Sequence, residues 1–168
     1  MLFRSVADAQ AGRVAAIATA PVNKLAFARA GLTWKGHTDL LAHLTGVSRV
    51  AMMFWSDTIK VVLATVHVPL ADVPRLLTRD LVDGIIDLTA TELGRFGLPR
   101  PRLALAGLNP HAGEDGVLGS EETTVLGPAV AAARVRGIDI EGPFPGDTVF
   151  VRASDRKSTR LNSSHVSE

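Results

Sequence analysis

Three histidines stand in segments whose residue types suit chemistry better than packing. They are Gly36-His37-Thr38-Asp39, Ala64-Thr65-Val66-His67-Val68-Pro69-Leu70 and Gly107-Leu108-Asn109-Pro110-His111-Ala112-Gly113-Glu114. The third is the most informative. Leu103 to Ala106 reads as a buried strand that stops at Gly107, after which one tight loop presents Asn, Pro, His, Gly and Glu. Loops leaving strand ends of an α/β sheet are where ligands bind. An imidazole at His111 has no packing duty there and can point into a cleft. His67 follows an apolar strand, where the plainer reading is a hydrogen-bonded structural histidine. Period-two alternation puts Thr65 and His67 on one face and Val66 on the other. Two neutral imidazoles from different strand ends can share a metal ion, because imidazole is the commonest protein metal donor. The spacing alone does not show this, and the chain has no His-Glu-x-x-His signature.

His37-Thr38 at a helix start offers a hydroxyl, an imidazole and free backbone N–H groups, which suits an anion such as phosphate or carboxylate. Simple N-capping by Thr38 explains the same residues equally well. His43, in the body of that helix, reads as a surface or packing residue. Asn23-Lys24 opens a helix after Ala20-Pro21. A lysine in a first turn opposes the helix dipole, so a function helps to explain it, although most lysines are simply solvated. Neither a dinucleotide-binding GxGxxG nor a Walker A loop occurs.

The elements that must position these residues follow from pattern and punctuation. Val6 to Ala11 reads as a helix end closed by Gly12, and Val14 to Ala18 as a short apolar strand broken by Pro21. Asn23 to Ala30 is a helix ending at Gly31, and Thr38 to Leu44 a second one ending at Gly46. Val50 to Trp55 and Ile59 to Val66 are β-rich runs joined by a hairpin at Ser56-Asp57-Thr58. Leu70 to Leu77 is helical. Thr78 caps a long helix from Arg79 to Phe96, where Leu81, Ile85, Leu88 and Leu93 recur with helical spacing. Arg102 to Ala106 is a strand, and Ser120 caps a helix from Glu121 to Arg136 with an acidic first turn that suits its dipole. Ile138 to Glu141 is a last strand, followed by a loop over Pro143 to Asp147. Alternating strands and helices imply an α/β layered protein, and the hairpin adds an antiparallel element to give a mixed sheet.

With 168 residues, 46 % of them hydrophobic, the chain can build one domain with a real core. A formal charge of +1 argues against a general nucleic-acid footprint. No run of about 18 apolar residues suggests a membrane span. No apolar leader opens the chain. The absence of cysteine excludes disulfides and thiolate metal sites. A soluble, cytoplasmic protein is the simplest reading.

The two ends look foreign to the rest. Asp155 to His165 resembles the conceptual translation of a short-read sequencing adapter, and Leu2-Phe3-Arg4-Ser5 resembles the reverse-strand adapter read the same way. On that reading residues 1–5 and 155–168 are adapter-derived, the latter as a disordered tail. Residues 6–154 are then a partial domain cut at both ends. Removing three basic and two acidic tail residues together with Arg4 takes the formal charge from +1 to −1, and His165 drops out as a ligand.

Together the segments resemble one family. They are Thr19-Ala20-Pro21-Val22-Asn23-Lys24, Gly36-His37-Thr38-Asp39, Ala51-Met52-Met53, Ala64 to Leu70, Gly107 to Glu114, and Gly142-Pro143-Phe144-Pro145-Gly146-Asp147-Thr148-Val149-Phe150. In order and approximate spacing they look like the 4-hydroxythreonine-4-phosphate dehydrogenases, the PdxA family of pyridoxal phosphate (vitamin B6) biosynthesis. The resemblance covers nearly all of Val6 to Ala153, and the loop at Asn109 to Glu114 is its most specific part. It implies an isocitrate/isopropylmalate dehydrogenase-like α/β/α fold with a mixed sheet, here incomplete.

The resemblance also implies NAD- or NADP-dependent oxidation of the C3 hydroxyl of 4-phosphohydroxy-L-threonine. The resulting β-keto acid loses its carboxylate as CO₂ to leave 3-amino-2-oxopropyl phosphate. It implies a homodimer and a divalent metal cation (Zn, Mg, Mn or Co) bound by three histidines, one of them shared across subunits. By matching motifs His67 and His111 are two metal ligands, His37 and Thr38 bind substrate, and Lys24 is a candidate catalytic residue. A Lewis acid that takes the substrate hydroxyl and a neighbouring donor lowers the hydroxyl pKa and can then polarise the ketone for decarboxylation. The family's third metal histidine, in a Tyr-His-Asp-Gln segment, has no counterpart before residue 154, so the fragment alone is expected to be inactive. The nearest alternative is a relative that oxidises a four-carbon sugar-acid phosphate such as threonate or erythronate 4-phosphate. A different class is a non-catalytic α/β module that holds an anion with the same loop.

Overall fold

In the computed structural model residues 2–21, 23–34, 36–155 and 160–163 are described, with the backbone alone at Leu2, Lys24, 152–155 and 160–163. The chain divides into two units, Met1–Val50 and Ala51–Glu168.

The first unit is helical. Helices α1 (Leu2–Gln10), α2 (Lys24–Arg29) and α3 (His37–Thr45) match the expected segments. Asn23 caps α2 by accepting a hydrogen bond from the Ala26 N–H at 3.0 Å. Gly46 closes α3 in left-handed backbone, φ 69°. Helix α1 packs against α3, and Val6 and Leu40 are buried. The Trp34 ring lies 5.9 Å from Phe3 and 5.1 Å from His43, so His43 is a packing residue. The expected strand at Val14–Ala18 is absent: residues 13–21 are neither helix nor strand. A strand needs a neighbour for its N–H and C=O groups, and all described strands belong to the second unit.

The second unit is a five-stranded mixed sheet with helices on both faces. Strands β1 (Met52–Trp55) and β2 (Lys60–Leu63) form the expected antiparallel hairpin, in register from Met52 opposite Leu63 to Trp55 opposite Lys60. The Ser56 N–H closes it by donating to the Ile59 carbonyl at 3.0 Å. Val73–Leu76 forms α4, Arg79–Glu92 forms α5, and the Thr78 hydroxyl caps α5 through the Leu81 N–H at 3.3 Å. Strand β3 (Arg102–Ala106) is followed by α6 (Gly127–Val135), β4 (Ile140–Phe144), α7 (Gly146–Asp155) and β5 (Arg160–Ser163). The strand order is β1-β2-β5-β3-β4, parallel except for β1 against β2.

Alternation along β3 sets the layers. Leu103 and Leu105 enter a core with Val82, Ile85 and Ile86 of α5 and Ala129, Val130 and Ala133 of α6. Ala104 and Ala106 face the other way, against Val149 of α7. This is the α/β/α arrangement the sequence implies.

Three boundaries differ from expectation. Strand β4 runs on through Pro143 to Phe144, where a loop was expected, because the Gly107 N–H donates to the Phe144 carbonyl at 2.7 Å and prolongs the pairing. Residues 160–163, expected to lie unpacked in a disordered tail, form β5 between β2 and β3. Backbone pairing uses groups that every residue carries, so a strand edge accepts an extended segment of little hydrophobic content. The helix expected from Glu121 is continuous but not uniform. Residues Glu122–Leu126 form a wider turn, in which the Gly127 N–H reaches back to the Glu122 carbonyl. Pro128 enforces it, having no N–H to give and a ring that crowds the preceding turn.

Candidate functional site

Strand β5 runs parallel to both β2 and β3, so β2 and β3 end at the same edge of the sheet. One strand separates them, which places their exits about 10 Å apart. Thr65, just past β2, and Gly107, just past β3, line one cavity with Ala64, Leu77, Val82 and Leu108. His67 lies two residues beyond Thr65, and His111 lies four beyond Gly107. The tertiary structure thus brings to one sheet edge two loops that are more than forty positions apart in the chain.

Both histidines are exposed, and both have left-handed backbone, φ 56° at His67 and φ 52° at His111. Non-glycine residues rarely adopt this conformation, and such strain clusters at functional sites. The turn at His67 also corrects the alternation read from the sequence. Strand β2 stops at Leu63, so Thr65 is buried while His67 is exposed. The Thr65 hydroxyl has no hydrogen-bond partner among the described residues.

The His111 loop is the more elaborate. After Asn109 and Pro110 the chain keeps positive φ through His111, Ala112, Gly113, Glu114 and Asp115. Side-chain hydrogen bonds from Glu121 and Glu122 hold its base. Glu122 Oε1 accepts from the Leu108 and Asn109 N–H groups, each at 2.7 Å. The Asn109 Nδ2 donates to Glu122 Oε2 at 2.8 Å and to Glu121 Oε2 at 2.7 Å. The Asn109 amide holds the Glu121 carboxyl below the usual carboxylate range. Sequence reasoning read both glutamates as acidic residues complementing a helix dipole and missed this role. The available signal was Pro128, which cannot sit inside a regular helix and so announces an altered first turn.

Lys24, His37 and Thr38 belong to the first unit. Lys24 opens α2 behind its Asn23 cap, and its side chain lies outside the described residues. His37 is half-buried and Thr38 exposed, in the first turn of α3. The capping role considered for Thr38 is not seen. Gly36 is the cap residue, and with no side chain it makes no capping hydrogen bond. Among the described residues no three His, Cys, Asp or Glu side chains form a group able to hold a metal. His67 and His111, each exposed just past a strand of that sheet edge, present two imidazoles, a donor type that divalent metals take.

A mixed sheet with helices packed on both faces defines the class as an α/β/α, Rossmann-like and isocitrate dehydrogenase-like fold. Residues 1–161 match the family model of the pyridoxal phosphate biosynthetic protein PdxA, and the chain belongs to that family. It is 48 % identical over 147 residues to a 4-hydroxythreonine-4-phosphate dehydrogenase of Desulforapulum autotrophicum, covering 87 % of this chain and 43 % of the relative. It is 45 % identical over 150 residues to a D-threonate 4-phosphate dehydrogenase of Pectobacterium atrosepticum, covering 89 % of this chain and 46 % of that one. A crystal structure of 4-hydroxythreonine-4-phosphate dehydrogenase from Klebsiella pneumoniae superposes with a TM-score of 0.90 at 43 % identity, over 96 % of this chain and 49 % of that chain. The chain thus spans about half the length of the relatives it matches.

Proposed function

We propose that this chain supplies the histidine-bearing sheet edge of an NAD- or NADP-dependent 4-hydroxythreonine-4-phosphate dehydrogenase. The carrying observation is the convergence of His67 and His111, each on left-handed backbone, at the shared end of β2 and β3. The relatives' names supply the substrate class, a small phosphorylated hydroxy acid.

His67 and His111 would hold a divalent cation together with donors from outside the described residues, a partner subunit among them. When bound, that cation supplies Lewis-acid polarisation of the reacting oxygen. As neutral donors the two imidazoles leave the positive charge of the site undiminished. The start of α3, with His37 and the Thr38 hydroxyl, suits an anionic group of the substrate. Lys24 places a cation in a first helical turn, where the dipole disfavours it, and we read this as a functional placement in the same reaction. Hydride transfer belongs to the nicotinamide, and the protein's part is to hold the substrate in one geometry.

The test is a substrate comparison in a full-length enzyme carrying this segment, with NADH or NADPH formation as readout. 4-Phosphohydroxy-L-threonine and D-threonate 4-phosphate are compared, because relatives named for each match this chain, at 48 % and 45 % identity. His67→Ala and His111→Ala are each expected to lower kcat/KM by at least ~100-fold while retaining the fold. Near-normal turnover in either variant removes that residue from the site. Preference for D-threonate 4-phosphate moves the chain to the second reading.

A further inference from the structure

Glu122 has no part in the chemistry above, yet it is among the most buried polar residues of the second unit, at 4 % exposure. A buried carboxylate is costly unless it is paired or fully hydrogen-bonded. Among the described residues no cation pairs with it. Instead its acceptor-only oxygens take three N–H donors, from the backbone of Leu108 and Asn109 and the side chain of Asn109. All three lie in the two residues immediately before Pro110-His111.

We propose that Glu122 is the positioning residue for His111, a proposal that rests on the reading of His111 as a metal ligand. The loop needs an anchor. Four of its five left-handed residues are not glycine, and a residue with a Cβ adopts this backbone only at a cost. Such a conformation persists only where the surroundings over-determine it. Glu122 provides this from the wide turn at the head of α6. That helix is fixed in the core by Ala129, Val130 and Ala133, all at most 2 % exposed. The chain of support runs from the core through α6 and the Glu122 carboxylate to the Leu108 and Asn109 amides, and from there to His111. Steric fit agrees with it. A Cβ at Gly113 would stand 2.8 Å from Glu122 Oε2, and one at Gly119 would overlap the Asn109 side-chain amide. The loop closes around this carboxylate and leaves no room to shift. Outer groups that orient a metal-binding histidine typically change metal affinity 10–100-fold when removed.

The experiment titrates a full-length enzyme carrying this segment with Co²⁺ alone, by calorimetry and by the visible Co²⁺ bands. It compares wild type, Glu122→Gln, Glu122→Ala, His67→Ala and His111→Ala. Amide hydrogen exchange is followed over residues 107–113, with α5 as the reference for global stability. Glu122→Ala is expected to weaken Co²⁺ binding at least ~tenfold, shift the bands, and speed exchange at Leu108 and Asn109 while α5 keeps its protection. Glu122→Gln keeps one oxygen for the two backbone donors and should show a smaller loss in the same direction. Wild-type affinity, bands and exchange in both Glu122 variants, with binding lost in His111→Ala, overturn the proposal. Wild-type Co²⁺ binding in His111→Ala overturns the ligand reading of His111 instead. In that case exchange over 107–113 decides the anchor: faster exchange supports it and unchanged exchange overturns it. If Glu122→Ala loses α5 protection, Glu122→Gln and Asn109→Ser carry the same comparison.

Discussion

The loops after β2 and β3 perform the same turn with different support. Each leads a histidine through left-handed backbone at the same sheet edge. The His111 loop carries its own scaffold. Glu121 and Glu122 lie only 12 and 13 residues beyond Asn109, and their carboxylates hold it by four hydrogen bonds. The His67 loop has no comparable clamp among the described residues, and its buried polar group, the Thr65 hydroxyl, is left without a partner. One histidine loop is thus organised by its own neighbourhood in the chain. The other reaches the cavity it shares with Gly107 through a Thr65 hydroxyl that has no partner among the described residues.

The largest effect should come from crowding the clamped loop. Gly119→Ala places a methyl group on the Asn109 amide, at a backbone φ of +144° that side chains rarely adopt. We expect a loss of about 2–3 kcal/mol, read as a lower Tm and a lower urea midpoint. A loss below ~0.5 kcal/mol would show that the loop gives way and would break the contrast with the His67 side.

Asn109→Ala removes both side-chain hydrogen bonds to the glutamates but leaves the two backbone donors on Glu122. A loss of about 1.5–2 kcal/mol is expected, since bonds to charged groups are the stronger kind and buried acceptors would be left unfilled. Equal stability of wild type and variant would place the anchor in the backbone contacts alone. Thr65→Val should act in the opposite direction. It replaces an unpartnered buried hydroxyl by a methyl group of similar shape and should stabilise the chain by about 1 kcal/mol. A destabilisation of that size would mean the hydroxyl is satisfied, and the two loops would no longer differ in kind.

The smallest effect is electrostatic and confined to the clamped side. The Asn109 hydrogen bond lowers the Glu121 pKa in the folded chain. The stability this contributes is fully present above the unfolded value of ~4.3 and is lost as pH falls through the lower folded value. Amide exchange near Asn109, corrected for its intrinsic pH dependence, should therefore accelerate between about pH 4.3 and more acidic conditions, and Glu121→Gln should abolish that trend. A trend unchanged in Glu121→Gln would assign it to another group.

Much of the second unit was legible in the chain. The hairpin at Ser56–Thr58 followed from two β-rich runs around a turn, and α5 followed from apolar spacing behind the Thr78 cap, because both depend on neighbours close in sequence. The apolar run at Leu103 to Ala106 announced a strand buried on both faces, and the loop after it announced a site. The strand at Val14–Ala18 failed for the complementary reason. Five small apolar residues are compatible with a strand, but only an available edge makes one. The β2 boundary at Leu63 and the extension of β4 to Phe144 were likewise decided by which pairing partner lay alongside.

Residue types and local spacing therefore determined the list of candidates: His37, Thr38, His67 and His111, the loop that exposes His111, and the segments that identify the family. Tertiary structure alone decided that β2 and β3 end at one edge, because strand direction and order are properties of pairing between distant segments. It alone turned Glu122 inward. A glutamate in a helix's first turn is a surface residue by every local rule. Only the wider turn ahead of Pro128, with three N–H donors arriving from the end of β3, makes burial of its carboxylate the lower-energy arrangement.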